Sequence, residues 1–198
     1  ASLVSFDLSP SMKSIENDTF RSCTTLKRIQ IPSSITSIGS NAFYECISLL
    51  QVKIPSSVTS IGKYAFYCCR KLTSVEIPSN VKSIEEGLFK ECSLLKQIIV
   101  SSFIVSIEKD AFANCTSLKT FLIPISLKYI GEGAFQGCTS LENIEIPTSI
   151  TSIENKTFKS CTSLRRFIIP SSVTAIGQEA FCNCSLLTDI RIPSSITH

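Results

Sequence analysis

The sequence predicts a solenoid of about eight and a half turns, 23 residues to the turn. Three columns of residues carry this. Cysteine recurs at 23, 46, 69, 92, 115, 138, 161 and 184, and leucine at 3, 26, 49, 72, 95, 118, 141, 164 and 187. Phenylalanine holds 20, 43, 66, 89, 112, 135, 158 and 181. No insertion displaces any column, so each turn buries its apolar set against the turns beside it rather than in a central globule.

Written from its strand, one unit is Leu26-x-x-Ile29-x-Ile31-Pro32-x-x-Ile35-x-x-Ile38-Gly39-x-x-Ala42-Phe43-x-x-Cys46. Alternation across Ile29, Gln30 and Ile31 has the two-residue period of a strand with one buried face. Pro32 ends it, because proline has no donor for a further ladder bond, and Ser33 and Ser34 supply turn-forming hydroxyls. The Ile35 to Ile38 interval, followed by Ala42, Phe43 and Cys46, predicts a short extended piece and then a single turn of helix. One column alternates between Gly at 39, 62, 131 and 177 and Glu at 16, 85, 108 and 154. Glutamate rarely adopts a left-handed backbone, which predicts a negative φ there. At about 4.8 Å per rung, nine strands stack over about 40 Å.

A linker would have to interrupt the period, and none does, so residues 1–198 read as one domain. Ala1 falls just before the first Leu of a repeat and neither end carries a polar capping turn, which predicts a fragment of a longer protein. Bare ends also predict a homodimer through a terminal turn, formed by Leu3, Phe6 and Leu8 or by Ile190 and Ile192. The formal charge is +3, with 19 basic residues interleaved among 16 acidic ones. The column of Lys27 continues as Leu50, Thr73, Lys96, Lys119, Glu142, Arg165 and Thr188. No basic stripe tracks one face, which argues against a nucleic-acid partner. No apolar run approaches the length of a membrane span and no charged-then-apolar leader precedes the first repeat.

The unit LxxIxIPxxVxxIGxxAFxxC resembles the BspA-like leucine-rich repeat, also called the Treponema pallidum type, over the whole chain. The resemblance implies a curved, right-handed leucine-rich-repeat solenoid with a parallel β-sheet on the concave face and short strands, turns or 3-10 helix on the convex side. It also implies a cell-surface or secreted protein of a bacterium or parasitic protist, with adhesion to host or matrix proteins as its role. The Ser- and Thr-rich turns, as in Ile54-Pro55-Ser56-Ser57-Val58-Thr59-Ser60-Ile61-Gly62, are most similar to the protist members.

Ten cysteines invite a disulfide framework or a metal site. A single Cys every 23 residues lacks the paired spacing of zinc sites, and His198 is the only histidine, so no metal is expected. The ladder cysteines read as buried, reduced packing groups. Disulfides remain open for Cys68 and Cys182, which stand outside the ladder, Cys182 in a solvent-facing column. No nucleophile, base and orienter can be assembled, and no Gly-rich phosphate cradle appears, so neither catalysis nor a cofactor is expected. Glu85 with Glu86 and Glu108 with Asp110 read as solvated faces. Asn17, Asn114, Asn155 and Asn183 stand in N-x-S/T sequons, weak support for a secretory route.

The array breaks its own pattern in one region. The outward strand column runs Asp7, Gln30, Lys53, Glu76, Ile99, Leu122, Glu145, Ile168, Arg191. Ile99 and Leu122 are on adjacent turns, and those turns also lose the Pro-Ser-Ser corner: Ser101 replaces Pro, Phe103 takes the second Ser column and Ile125 the first. Ile99, Phe103, Leu122 and Ile125 therefore form a candidate exposed apolar patch, with Ile168 further along. Arg28, Gln51, Gln97, Thr120, Asn143 and Arg166, in the neighbouring column, would rim it. Two functional classes follow: a module binding a protein or glycan ligand through the concave face, or a structural, self-assembling scaffold that is intracellular.

Overall fold

The computed structural model describes residues 4–196, and through them the chain is a solenoid of about eight turns of 23 residues. Ala1, Leu3 and His198 lie outside the described residues. The first ladder consists of the strands Ser5–Asp7, Arg28–Gln30, Gln51–Val52, Ser74–Glu76, Gln97–Ile99, Arg166–Ile168 and Asp189–Arg191. Every pairing is parallel with an offset of one repeat: Phe6 faces Ile29, Ile29 faces Val52, Val75 faces Ile98 and Phe167 faces Ile190. The second ladder consists of two-residue strands, among them Ser14–Ile15, Ser37–Ile38, Ser60–Ile61, Ser83–Ile84, Ser106–Ile107 and Tyr129–Ile130, with the same offset. In the inner three-residue strands the inward residue is buried and its flanking residues are exposed, as in Arg28, Ile29 and Gln30, whereas all three residues of Ser5–Asp7 and of Asp189–Arg191 are exposed.

Where the spacing predicts a helical turn, the structure has none; among the described residues there is no helix. Each turn closes instead through successive i to i−3 bonds, such as Ala42 N–H to Gly39 O, Tyr44 N–H to Asn41 O and Cys46 N–H to Phe43 O. The alternate N–H groups, those of Asn41, Phe43 and Glu45, donate to Lys63, Ala65 and Tyr67 of the next turn. A helix would keep all these donors within the segment, whereas a neighbouring turn one rung away offers a carbonyl to every second one.

Two left-handed residues per turn produce that redirection. One column, at 18, 41, 64, 87, 110, 133, 156 and 179, holds Asp, Asn, Tyr, Gly, Asp, Gly, Lys and Glu with φ between 55° and 63°. The second, at 22, 45, 68, 91, 114, 137, 160 and 183, has φ between 56° and 71°. Glu45, Glu91 and Glu179 are among them, so the steric argument against left-handed glutamate fails here. From Asp18 to Ser160 each of these residues is held by an inter-turn hydrogen bond, as from Glu45 N–H to Tyr67 O and from Glu91 N–H to Ala113 O, while Glu179 and Asn183, in the last described turn, keep the same φ without one among the described residues. The Gly39 column does avoid positive φ. Its glycines answer close approach: a Cβ on Gly62 would lie 2.4 Å from the backbone nitrogen of Ser40.

Three columns run through the core beside the buried aliphatic residues of the two ladders. The phenylalanines from Phe20 to Phe181 stack almost parallel, with centroids 5.2 to 5.8 Å apart, inside the range of favourable offset stacking. The leucines from Leu26 to Leu164 are fully buried beside them. The thiols of Cys46, Cys69, Cys92, Cys115, Cys138 and Cys161 are buried as well, and each donates to the carbonyl of a phenylalanine 26 residues earlier, at 3.1 to 3.3 Å. Cysteine is thus both filler and cross-turn donor. Burial drives these thiols well above their ordinary pKa, to about 12 for Cys46 and Cys138.

Candidate binding surface

The first ladder breaks between Gln51–Val52 and Ser74–Glu76 and again, over a longer stretch, beside Leu122. Neither 120–122 nor 143–145 forms a strand, and one isolated bridge, Thr120 to Asn143, joins them. The column of Ile29, Val52, Val75 and Ile98 is occupied here by Phe121, whose ring wedges against Phe112 and Phe135 at 5.2 and 5.4 Å. The residue outside it, Leu122, is 88% exposed.

At the corner that follows, most turns carry a serine clamp. Ser57 Oγ donates to Ile35 O at 2.6 Å, Ser126 to Ile104 O at 2.6 Å and Ser172 to Ile150 O at 2.7 Å. Phe103 stands in this column and cannot donate. Its ring is exposed instead, with Lys82 Nζ 4.5 Å from its centroid. Ser101, in the proline position, keeps the corner closed by accepting the Phe103 N–H on Oγ at 3.3 Å. Ile125, beside Phe103 one turn on, is 84% exposed.

Ile99, Phe103, Leu122 and Ile125 are all exposed, and Val105 and Tyr129, which extend the apolar columns onto the second ladder, are exposed as well. The extension was missed because the columns of the strand and of the second ladder become neighbours only across the corner. Ile168 is exposed two rungs from Leu122, with Glu145 on the rung between them; it lines a hollow with Arg166 and Pro170 that shares Asn143, Ile144 and Glu145 with the hollow beside Leu122. Two of the expected rim residues are also displaced. Arg28 pairs in register with Gln51, which leaves it three rungs, about 14 Å, from Gln97, and Arg166 is engaged by Asp189 at 3.3 Å. A groove of about 700 Å³ runs along the first ladder from Gln51 to Ser101, floored by Val75 and reaching Ile99.

The remaining candidates serve the repeat. Glu86 accepts from Tyr64 Oη at 2.6 Å and pairs with Lys63 at 3.0 Å, while Asp110 pairs with Lys90 at 2.9 Å, so both belong to cross-turn contacts rather than to a merely solvated face. The Tyr64 hydroxyl, donating to that carboxylate, is raised to about 12, and Glu86 is lowered by the same bond. Asn17 and Asn155 each accept a backbone N–H of the next turn at 2.7 Å, and Asn114 donates to Glu91 at 2.7 Å; Asn183 is exposed. Cys182 is exposed, whereas Cys68 is buried and accepts from Arg70 Nε at 3.2 Å, which separates the two thiols that sequence grouped together. Among the described residues no group of three or more His, Cys, Asp and Glu is placed to hold a metal, and no helix is long and apolar enough to cross a membrane.

Comparison with solved structures supports the fold. A leucine-rich repeat protein from Bacteroides ovatus is 29% identical, with a TM-score of 0.76 over 96% of this chain and 67% of its own. A leucine-rich cell surface protein from Faecalibacterium prausnitzii is 27% identical, with a TM-score of 0.56 over 98% of this chain and 74% of its own. The T. pallidum leucine-rich repeat protein, 22% identical with a TM-score of 0.62 over 95% of this chain and 79% of its own, shares the fold. Comparison with curated protein sequences gave no match. The model of the BspA type leucine-rich repeat region, in 6 copies, matches residues 1–119 and 89–198. With the repeat unit, the parallel ladders and this match in agreement, the chain belongs to the BspA-type leucine-rich repeat family.

Proposed function

We propose that this solenoid is a non-catalytic binding module for a protein partner, docked on the apolar band around Leu122 and acting at the cell surface. The observation that carries the reading is the near-complete exposure of Leu122 and Ile125, in columns where most other turns hold polar residues. Burying a leucine or isoleucine side chain in an interface contributes about 1.5–3 kcal/mol, so a partner would find most of its anchoring here. A protein suits the band better than a glycan, because sugar hydroxyls desolvated against aliphatic side chains would lose hydrogen bonds. The surface location is supported by the Faecalibacterium relative, described as a cell surface protein.

The test is binding of the purified protein, and of a Leu122→Ser, Ile125→Ser variant, to a panel of host matrix and cell-surface proteins. Capture by the parent and loss in the variant, at unchanged melting temperature, is the expected result. Equal capture by both would place the contact elsewhere. Labelling of intact cells reports the location, and protection of the protein from a membrane-impermeant reagent would refute it.

A further inference from the structure

The charges around the apolar band are sorted by side. In the outward strand column the two apolar rungs are bracketed, in the order Glu76, Ile99, Leu122, Glu145, and Glu76 is register-paired with Ile99. In the column just past the corner the order is Lys82, Val105, Lys128. Phe103 and Ile125 lie between the columns. All four charged residues are exposed, and among the described residues none of them enters an ion pair. Some cations elsewhere are engaged across turns, as Lys63 with Glu86 and Lys109 with Glu132, while others, such as Lys53 and Lys96, likewise form no ion pair among the described residues. Beyond the carboxylates the next strand column is neutral, with Gln97, Thr120 and Asn143, before Lys96 and the Lys119 to Glu142 pair.

We infer that the band recognises a segment of a partner protein whose apolar stripe carries basic residues along one side and acidic residues along the other. This rests on the protein-binding reading above and deepens it. The basic side lies over Glu76 and Glu145, three rungs or about 14 Å apart, and the acidic side over Lys82 and Lys128, two rungs or about 10 Å apart. Exposed complementary charges add little affinity but fix orientation and reject a segment laid the other way, where like charges would meet.

The probe is a phage library of random 16-residue peptides selected on the intact protein. Peptides that lose binding on the Leu122→Ser, Ile125→Ser variant are kept and sequenced, and each is then titrated against Glu76→Lys, Glu145→Lys protein. Expected are sequences with Lys or Arg on one side of the apolar stripe and Asp or Glu on the other. The charge-reversed protein should bind them about threefold to tenfold more weakly, with the difference shrinking in high salt. Changing the peptide's basic residues to acidic ones should restore affinity. Band-dependent peptides with no charge bias, and no response to the reversal, would overturn the inference while leaving protein binding in place. A selection yielding no peptide sensitive to Leu122→Ser, Ile125→Ser would overturn both.

Discussion

Substituting Cys138 by alanine tests whether the buried thiol column links stability to pH. Cys138 is fully buried, its thiol donates to Phe112 O at 3.2 Å, and burial lifts its pKa from an ordinary 9.0 to about 12. A folded-state pKa raised above the unfolded value contributes stability that is complete below pH 9 and is lost as pH rises from 9 towards 12, because the unfolded chain ionises first. One such thiol removes about 1.4 kcal/mol per pH unit above 9. Cys46, Cys69, Cys92, Cys115 and Cys161 are raised in the same way. The column as a whole therefore makes stability fall as pH rises above 9. At pH 7.5 the alanine should cost about 2 kcal/mol, from a lost hydrogen bond and lost sulfur contacts; the Phe112 carbonyl still accepts the Cys115 N–H at 3.1 Å, so it is not orphaned. At pH 10 that cost should shrink by about 1.4 kcal/mol, because the variant has one fewer thiol to ionise on unfolding. Urea unfolding under reducing conditions, followed by circular dichroism at both pH values, measures the difference. A penalty equal or larger at pH 10 would refute the linkage.

Three further outcomes follow from the geometry. Thiol titration of the native protein should modify Cys182, and the six fully buried ladder thiols only after denaturation; recovery of fewer than four thiols from denatured, unreduced protein would mean that most are already paired. Gly62→Ala should lower stability by about 1–3 kcal/mol in thermal or denaturant melts, since its Cβ would lie 2.4 Å from Ser40 N and 2.7 Å from Gly39 C, both rigid backbone, and an unchanged melt would show that these turns can separate. Ile99→Ser with Leu122→Ser should change stability by no more than about 0.5 kcal/mol each, against about 3–5 kcal/mol for Phe112→Ala; equal costs would reverse the assignment of inner and outer strand faces.

The strand faces were legible because alternation around Ile29 admits one assignment of inside and outside, and the neighbouring turns repeat it. The return arc was not. Its left-handed columns hold Asp18, Asn41, Gly87 and Gly133, which suit a positive φ, beside Tyr64, Lys156 and Glu179, which do not. What supports the conformation in all but the last turn is the destination of the N–H group, a carbonyl 22 residues ahead, as from Tyr64 to Glu86 and from Asp110 to Glu132. A left-handed residue costs about 1–2 kcal/mol, offset by a bond that only the stacked array offers, so no window of sequence contains the reason. The column could still be noticed by its excess of Asp, Asn and Gly.

The apolar band shows the converse case, in which redundancy makes a departure readable. Had the corner drifted neutrally, the changes expected are those that keep a donor in the clamp column, as Asn80 does by donating Nδ2 at 3.0 Å to Ser56 O, two residues before the carbonyl that the serines' pattern would select. Phe103 gives the clamp up, and its aromatic surface is left half in water with a lysine over it. One turn on, Ser126 keeps the clamp while Ile125 beside it turns apolar and exposed. The fold therefore tolerates the serine in that turn and gains nothing from the isoleucine. Two adjacent turns that each expose apolar surface where folding does not ask for it, between carboxylates on one side and ammonium groups on the other, fit a contact made with another molecule better than packing within this one.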